Sequence, residues 1–412
     1  MFELSNLLVY FSLFISVFFE VFLLLTFLEH RTTIQSHQKM NPNSFPTATI
    51  VVPCFNEEAS IFGTIESLLA LDYPKDKLKI MIVDDGSTDN SWNLIQKYKD
   101  NPVIELYKKE NGGKHTALNF AISHSQSEIL GCLDADSFVA PNALKKIVWH
   151  FEDPTVMSVV PSIKVFEPKN VFQKIQKVQY EWGIFMRKTL SFLNALYVTP
   201  GPFSFFRREV FEKIGPYRQA HNTEDCEMAL RMQRNHLKIT NCHDAYIYTV
   251  SPSKFKALYR QQLRWVYGTL KNIIDYRDLL MKKEYGNLGF LVLPVVFISA
   301  VSALIVTILF LARASIHLEQ FFVNLRNINF NFGWPEFSFD WFYIKTDFHL
   351  IVGLAAFMIV ISIILIGKKL AGEKLHSATD LIYFFIIYPF IAPIWLFKAF
   401  YNVLTDKKTV WR

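Results

Sequence analysis

The sequence predicts an α/β fold, a doubly wound sheet flanked by apolar segments long enough to cross a membrane. Short β-rich runs alternate with helical patterns from about Ala48 to Tyr248, as buried parallel strands and their crossover helices do. Acidic clusters stand at the ends of those runs, where open α/β sheets bind their ligands. Hydrophobic residues make up 51% of the 412 and charged residues only 19%. That is too oily for an ordinary soluble enzyme and places the excess in discrete spans.

The first apolar run, about Leu7 to Leu28, carries one acid and no base, and lacks the basic start and short core of a signal peptide. It is long enough to span the hydrocarbon. Glu3 precedes it and His30 and Arg31 follow, so the chain is expected to enter the cytosol after Leu28. The runs TIVVPCF, LKIMIVD, VIELYK and EILGCLD read as strands. Helices are expected after Glu57, after the Ser87–Thr88–Asp89 cap, after Gly113 and from Pro141.

Beyond the sheet, Phe172, Ile175, Val178, Trp182, Phe185, Leu193 and Leu196 recur at helical spacing, with Lys174, Lys177, Glu181 and Lys188 largely elsewhere on the wheel. Such a helix can lie on a membrane with its basic side towards headgroups, or pack on the α/β domain. A second stretch, about Lys254 to Leu280, has the same two readings. Further spans are expected at about Leu288 to Ala312 and His349 to Ile366, joined by an aromatic loop (Phe330, Phe332, Trp334, Phe337, Trp341, Tyr343) suited to an outer interface. Lys368 and Lys369 return the chain inside. The last run, Leu381 to Leu404, contains Pro389 and Pro393. Alternation sends its end outside, while Lys407, Lys408 and Arg412 argue for inside; the run either breaks the charge rule or re-enters.

The resulting division is 1–30, a transmembrane helix; 46–250, the α/β domain; 251–285, interfacial amphipathic helices; and 286–412, a C-terminal transmembrane region. A net charge of +6 suits nucleic acid or an anionic membrane surface. Without an arginine-rich tail or basic recognition helix, the membrane is the expected partner and nucleic acid is not. Cys54, Cys132, Cys226 and Cys242 form no CxxC pair, which argues against a zinc site or a disulfide framework.

The candidate chemistry lies in five segments. Asn56–Glu57–Glu58 after the first run and Val83–Asp84–Asp85–Gly86–Ser87 after the second offer acceptors for a base or ribose; acids there also cap helices. Asn111–Gly112–Gly113–Lys114 looks like a phosphate cradle without the spacing of a P-loop. Asp134–Ala135–Asp136 can hold a ribose and a divalent cation, Mg²⁺ or Mn²⁺, or be two solvated turn acids. In Thr223–Glu224–Asp225, Asp225 can take a proton from an acceptor hydroxyl, or the trio can merely open a helix. Gln261–Gln262–Leu263–Arg264–Trp265 combines a ring for sugar stacking with a guanidinium fork, or is a surface helix with an interfacial Trp.

The ordered set FNEE, VDDGS, GGKHTALN, DAD, TED and QQLRW resembles the family-2 glycosyltransferases. Among these it resembles the processive membrane synthases of cellulose, chitin, hyaluronan and poly-N-acetylglucosamine. The resemblance covers roughly Ala48 to Gly268 by motif. It implies a cytosolic GT-A domain on a multi-pass protein of the plasma (inner) membrane, and inverting single displacement from a UDP-sugar. By the same resemblance, Asn56, Glu57, Asp84, Asp85, Lys114, Asp134 and Asp136 would bind the donor, Asp136 through the metal. Asp225 would be the general base. Glu224, Gly201, Phe203, Ser204, Gln261, Arg264 and Trp265 would serve the acceptor, a polysaccharide or a lipid. One span before the domain and few after it depart from the larger synthases, so accessory membrane subunits are an expected partner. A non-processive transfer to a membrane lipid is the second reading, and a nucleotide-sugar sensor or transporter the third.

Overall fold

The computed structural model describes residues 2–32, 34, 44–327, 348–374 and 378–407. The aromatic loop from Phe330 to Tyr343, Lys408 and Arg412 lie outside the described residues. Contacts divide the chain into two compact units, Met1–Phe22 with Val295–Ser362 and Leu23–Pro294 with Ile363–Arg412.

The second unit holds the sheet. Strands β1 (Ala48–Cys54), β2 (Leu78–Asp84), β3 (Ile104–Lys108), β4 (Ile129–Cys132), β5 (Ser137–Val139), β6 (Val156–Val165), β7 (Phe205–Arg207) and β8 (Lys238–Thr249) lie in the order β3-β2-β1-β4-β7-β6-β8-β5. The four strands legible in the sequence form its parallel half, with β1 between β2 and β4. The chain reverses direction across the sheet at β1–β4, so the loops after β1, β2 and β4 open on one crevice. β7 is antiparallel to both β4 and β6, and β5 to β8, which makes the sheet mixed.

Helices α2 (Ile61–Leu69), α3 (Ser91–Ile95), α4 (Lys114–His124) and α5 (Ala143–Trp149) follow the strands where expected, α4 directly after Gly113 and the others a few residues later than their sequence signals. Ile61, Ile65 and Leu68 of α2 and Leu144, Ile147 and Val148 of α5 join the strands in one core. Burying a side chain of this size is worth about 1.5–3 kcal/mol, which is why the apolar positions set the faces.

Helix α6 (Val171–Phe192) is closed at its start by a capping box of Asn170 and Gln173. It stops before Leu193 and Leu196, which the helical spacing had included; Leu196 is buried in the segment that follows. The expectation that its basic side meets lipid headgroups is corrected here. Lys188 is buried and donates to the Asn241 carbonyl, Lys177 lies 3.5 Å from Asp380, and Lys174 stands over the Tyr383 ring. Buried ammonium groups need partners, and protein supplies them. Helices α7 (Arg208–Ile214), α8 (Glu224–Arg234) and α9 (Phe255–Asp275) complete the domain.

Among the described residues, four helices are long and apolar enough to cross a membrane. They are α1 (Phe2–Glu29), α10 (Leu293–Asn327, continuing a π-helical turn at Leu288–Val292), α11 (Phe348–Leu370) and α12 (Ala378–Leu404). The last runs unbroken through Pro389 and Pro393 and packs on α6 and α9.

Candidate functional site

At the carboxyl edge of the parallel strands, two loops are stitched together. Asn56, at φ 55°, receives the Thr88 N–H on its side-chain oxygen at 2.8 Å and gives its own N–H to Ser87 Oγ at 3.0 Å. The Glu57 N–H donates to Ser91 Oγ at 2.8 Å, and the Glu57 carboxylate accepts from Ser60 Oγ at 2.9 Å. Asp84 is fully buried, with Oδ2 accepting no hydrogen bond. A buried carboxylate oxygen left this way is costly unless a ligand donor reaches it.

Asp85 has a different occupation. Its carboxylate receives the Gly112 N–H at 3.1 Å, the Gly113 N–H at 2.8 Å and Lys109 Nζ at 2.6 Å. This corrects the phosphate-cradle expectation: an internal anion already fills the glycine loop, and direct nucleotide contact by Asp85 loses its rationale. Gly86 (φ +79°) and Gly113 (φ +90°) take backbone angles that side chains disfavour, and so bring loop and acid together.

Lys114, the first residue of α4, reaches into the crevice. Its Nζ lies 2.5 Å from Asp134 Oδ1 and 3.4 Å from Glu224 Oε1. Burial disfavours its charge, but Asp134 and Glu224 outweigh burial and hold the ammonium above its ordinary range. Gly201 completes this cluster: a Cβ there would sit 2.8 Å from Lys114 Nζ, and its carbonyl accepts from Cys132 Sγ at 2.7 Å. Asp136 takes a hydrogen bond from Ser137 at 3.2 Å. Burial, then the charges of Asp134 and Glu57, push its carboxyl up to about 7. Among the described residues no three His, Cys, Asp or Glu side chains are arranged to hold a metal alone.

Asp225 lies in the first turn of α8 and accepts the Cys226 N–H at 2.9 Å. Burial and the neighbouring Glu224 raise its carboxyl to about 6, against the pull of Lys114 and Arg264. A carboxylate in that range is suited to accept a proton near neutrality. Its backbone oxygen receives Thr199 Oγ1 at 2.9 Å, which fixes the turn from behind.

Helix α9 carries Gln261, Arg264 and Trp265. Gln261 accepts from Gln176 of α6 at 2.9 Å, Arg264 donates to the Asn222 carbonyl at 3.1 Å, and the Trp265 ring stands 6.4 Å from that of Tyr180. Asp225 is within reach of the Arg264 charge, so α8 and α9 share one wall.

Two acceptor expectations need correction. Phe203 is fully buried, edge-on to Phe205 in the core, and Ser204 is buried with its hydroxyl on the Pro200 carbonyl at 2.6 Å. Both shape the turn behind Gly201 and neither can line a site for a glycan. Conversely, Tyr180 and Gly268 lie outside every motif, and Thr223 contributes through a contact that its motif does not reveal. Tyr180 is half-buried within reach of the Asp136, Asp134 and Arg264 charges, and desolvation first, then Asp136, raises its phenol. Thr223 accepts from Asn272 of α9 at 2.8 Å, and Gly268 lets the two helices meet. A Cβ at Gly268 would lie 2.2 Å from Thr223 Oγ1. Gly268→Ala is therefore expected to displace the start of α8, destabilising by about 1–3 kcal/mol. A thermal melt and turnover should fall together; an unchanged melt would remove the contact from the account.

The comparisons with known proteins bear on the family and the fold. Residues 49–215 match the model of glycosyl transferase family 2. The chain is 26% identical over 289 residues to the poly-beta-1,6-N-acetyl-D-glucosamine synthase of Staphylococcus aureus (strain COL), covering 69% of this chain and 70% of the relative. It is 27% identical over 256 residues to the beta-monoglucosyldiacylglycerol synthase of Nostoc sp. (strain PCC 7120 / SAG 25.82 / UTEX 2576), covering 61% and 55%. Among solved structures, the mannosyltransferase PcManGT from Pyrobaculum calidifontis, in complex with GDP-Man and Mn²⁺, aligns over 96% of this chain and 99% of that one. Its TM-score is 0.58 at 18% identity, a likeness of fold. The GT-A-like sheet, the distant synthase relatives and the family match lead to one assignment: the chain is a glycosyltransferase, and its residues 49–215 match glycosyl transferase family 2.

Proposed function

We propose that the protein transfers a sugar from a UDP-sugar to a growing polysaccharide at a membrane, by inverting single displacement. The observation that carries this reading is the joining of Asp134 and Glu224 through Lys114, which sets the first acid of the donor segment beside the Asp225 turn. Asp84 Oδ2 supports a nucleobase contact, since a buried carboxylate accepts from a uracil N–H. Asn56 and Glu57 border the same crevice. Asp225 takes the acceptor hydroxyl proton as the oxygen attacks the anomeric carbon. The bond from that carbon to the diphosphate oxygen breaks, and its electron pair leaves with the nucleotide. Arg264 faces the developing charge, and Trp265 beside Tyr180 offers an aromatic wall for the glycan end.

Mg²⁺ or Mn²⁺ would neutralise the departing diphosphate. Such a cation is held by one or two carboxylates together with substrate phosphates. Asp136 fits, because it faces the repulsion of Asp134 and Glu57 that a cation would relieve. Asp136→Asn is expected to weaken donor binding in Mg²⁺ by about 10-fold or more, with little change in a chelator. Full wild-type activity in chelator would overturn the metal assignment.

A lipid acceptor is the second reading, favoured by the likeness to the Nostoc glucolipid synthase. The deciding experiment incubates purified protein in nanodiscs with a panel of UDP-sugars and GDP-mannose, followed by product sizing. Long polymer from a UDP-sugar is the expected product. Single-sugar lipid products would transfer the assignment to the second reading, and turnover of GDP-mannose alone would remove the uridine donor.

A further inference from the structure

We propose that α12 does not cross the bilayer but lies along its surface, with its outer stripe in the boundary between headgroups and acyl chains. Both ends of the helix are tied to the unit that holds the sheet. At the start, Asp380 lies 3.5 Å from Lys177 of α6, and the Tyr383 ring lies under Lys174. Just past the end, Asp406 meets Lys271 of α9 at 2.7 Å. Between these ends Trp395 and Ala399 are buried, and α12 packs on both α6 and α9.

From Asp380 to Leu404 the helix rises about 36 Å at 1.5 Å per residue, more than the roughly 30 Å of hydrocarbon. A crossing helix would carry one of those ends to the far side, away from the domain that grips it. The other three apolar helices differ, because α1, α10 and α11 each continue into the other compact unit, whereas α12 stays within one.

The outward face explains why α12 is nevertheless as apolar as a membrane span. Ile382, Ile386, Phe390, Ile394, Phe397 and Leu404 follow one another at steps of three, four or their sum, on a single stripe. Each exposes at least a third of its surface, Phe390 in the middle of the stripe 68%. A stripe this long is too costly to leave in water at about 25 cal/mol per Å². Lys398 and Lys407 both stand over the Tyr401 ring, at 4.8 and 5.3 Å, at the polar margin where cations meet headgroups. Pro389 and Pro393 each remove an N–H from the helix ladder, which is cheaper at a wet boundary than in hydrocarbon. The occupant is thus the lipid surface on the catalytic side, and the conflict between span alternation and the terminal Lys and Arg residues disappears.

The test uses the full chain in sealed vesicles and nanodiscs. Thr405→Cys is compared with Lys97→Cys, an exposed site on the domain, using a membrane-impermeant maleimide; Cys54, Cys132, Cys226 and Cys242 are buried. Both new cysteines are expected to label from the same side. Labelling from opposite sides overturns the proposal. A fluorophore on Phe390→Cys should lose more emission to a nitroxide near the headgroups than to one at the acyl-chain end. Stronger quenching from the deep probe would instead mean a re-entrant helix, and no quenching from either would mean that lipid does not cover the stripe.

Discussion

Asp225→Asn is expected to lower turnover by about 10²–10⁴-fold, the usual contribution of a positioned general base, while donor affinity stays near wild type. The amide keeps the oxygen that accepts the Cys226 N–H, so the first turn of α8 retains its geometry and only the proton acceptor is lost. The pH profile carries the same prediction. Burial and Glu224 raise the carboxyl from 3.8 to about 6, and a base works only when ionised. Wild-type kcat/KM should therefore fall as pH drops through about 6, and the residual rate of the variant should lose that limb. Nucleotide titration beside kcat separates the outcomes. A loss of binding as large as the loss of turnover would show that Asp225 holds the donor rather than taking the proton.

Lys114→Met should produce the largest structural effect among the site residues. The ammonium is the shared partner of Asp134 and Glu224, at 2.5 and 3.4 Å. Removing one member of a buried ion cluster costs about 3–5 kcal/mol, because the remaining charges stay desolvated and repel one another. Asp134 is 31% exposed, so water relieves part of this and the lower end is expected. The loss also reaches Asp225, whose ionised form Lys114 favours. The acid limb of the rate profile should move to higher pH in the variant, alongside a lower melting temperature in detergent. Asp134→Asn, which removes one acid with its neutral isostere, should melt closer to wild type. An unshifted limb in Lys114→Met would deny the electrostatic link between the donor acids and Asp225.

The same logic explains which residues could be read early. The acids after β1, β2 and β4 were legible because a buried parallel strand is an unbroken apolar run, and the first polar residues beyond it must face the ligand edge. The Gly–Gly–Lys segment was legible as a loop, but its amides turned out to be filled by Asp85 rather than open to phosphate. Phe203 and Ser204 showed the same limit, since adjacency to Gly201 in sequence carries no information on which way a turn faces. Tyr180 and Gly268 had no motif, and their contacts, like that of Thr223 with Asn272, join positions more than forty residues apart.

From residues alone came the α/β class, the parallel half of the sheet, the apolar helices and the family, all of which follow from local periodicity and ordered short motifs. Tertiary structure decided the antiparallel half, the partners of the α6 lysines, the burial behind Gly201 and the packing of α12 on α6 and α9. Periodicity states which face of an element is apolar; it does not state what covers that face. A buried charge must find a counter-charge, and the choice among distant candidates such as Asp380 for Lys177 or Asp406 for Lys271 exists only once the helices have packed.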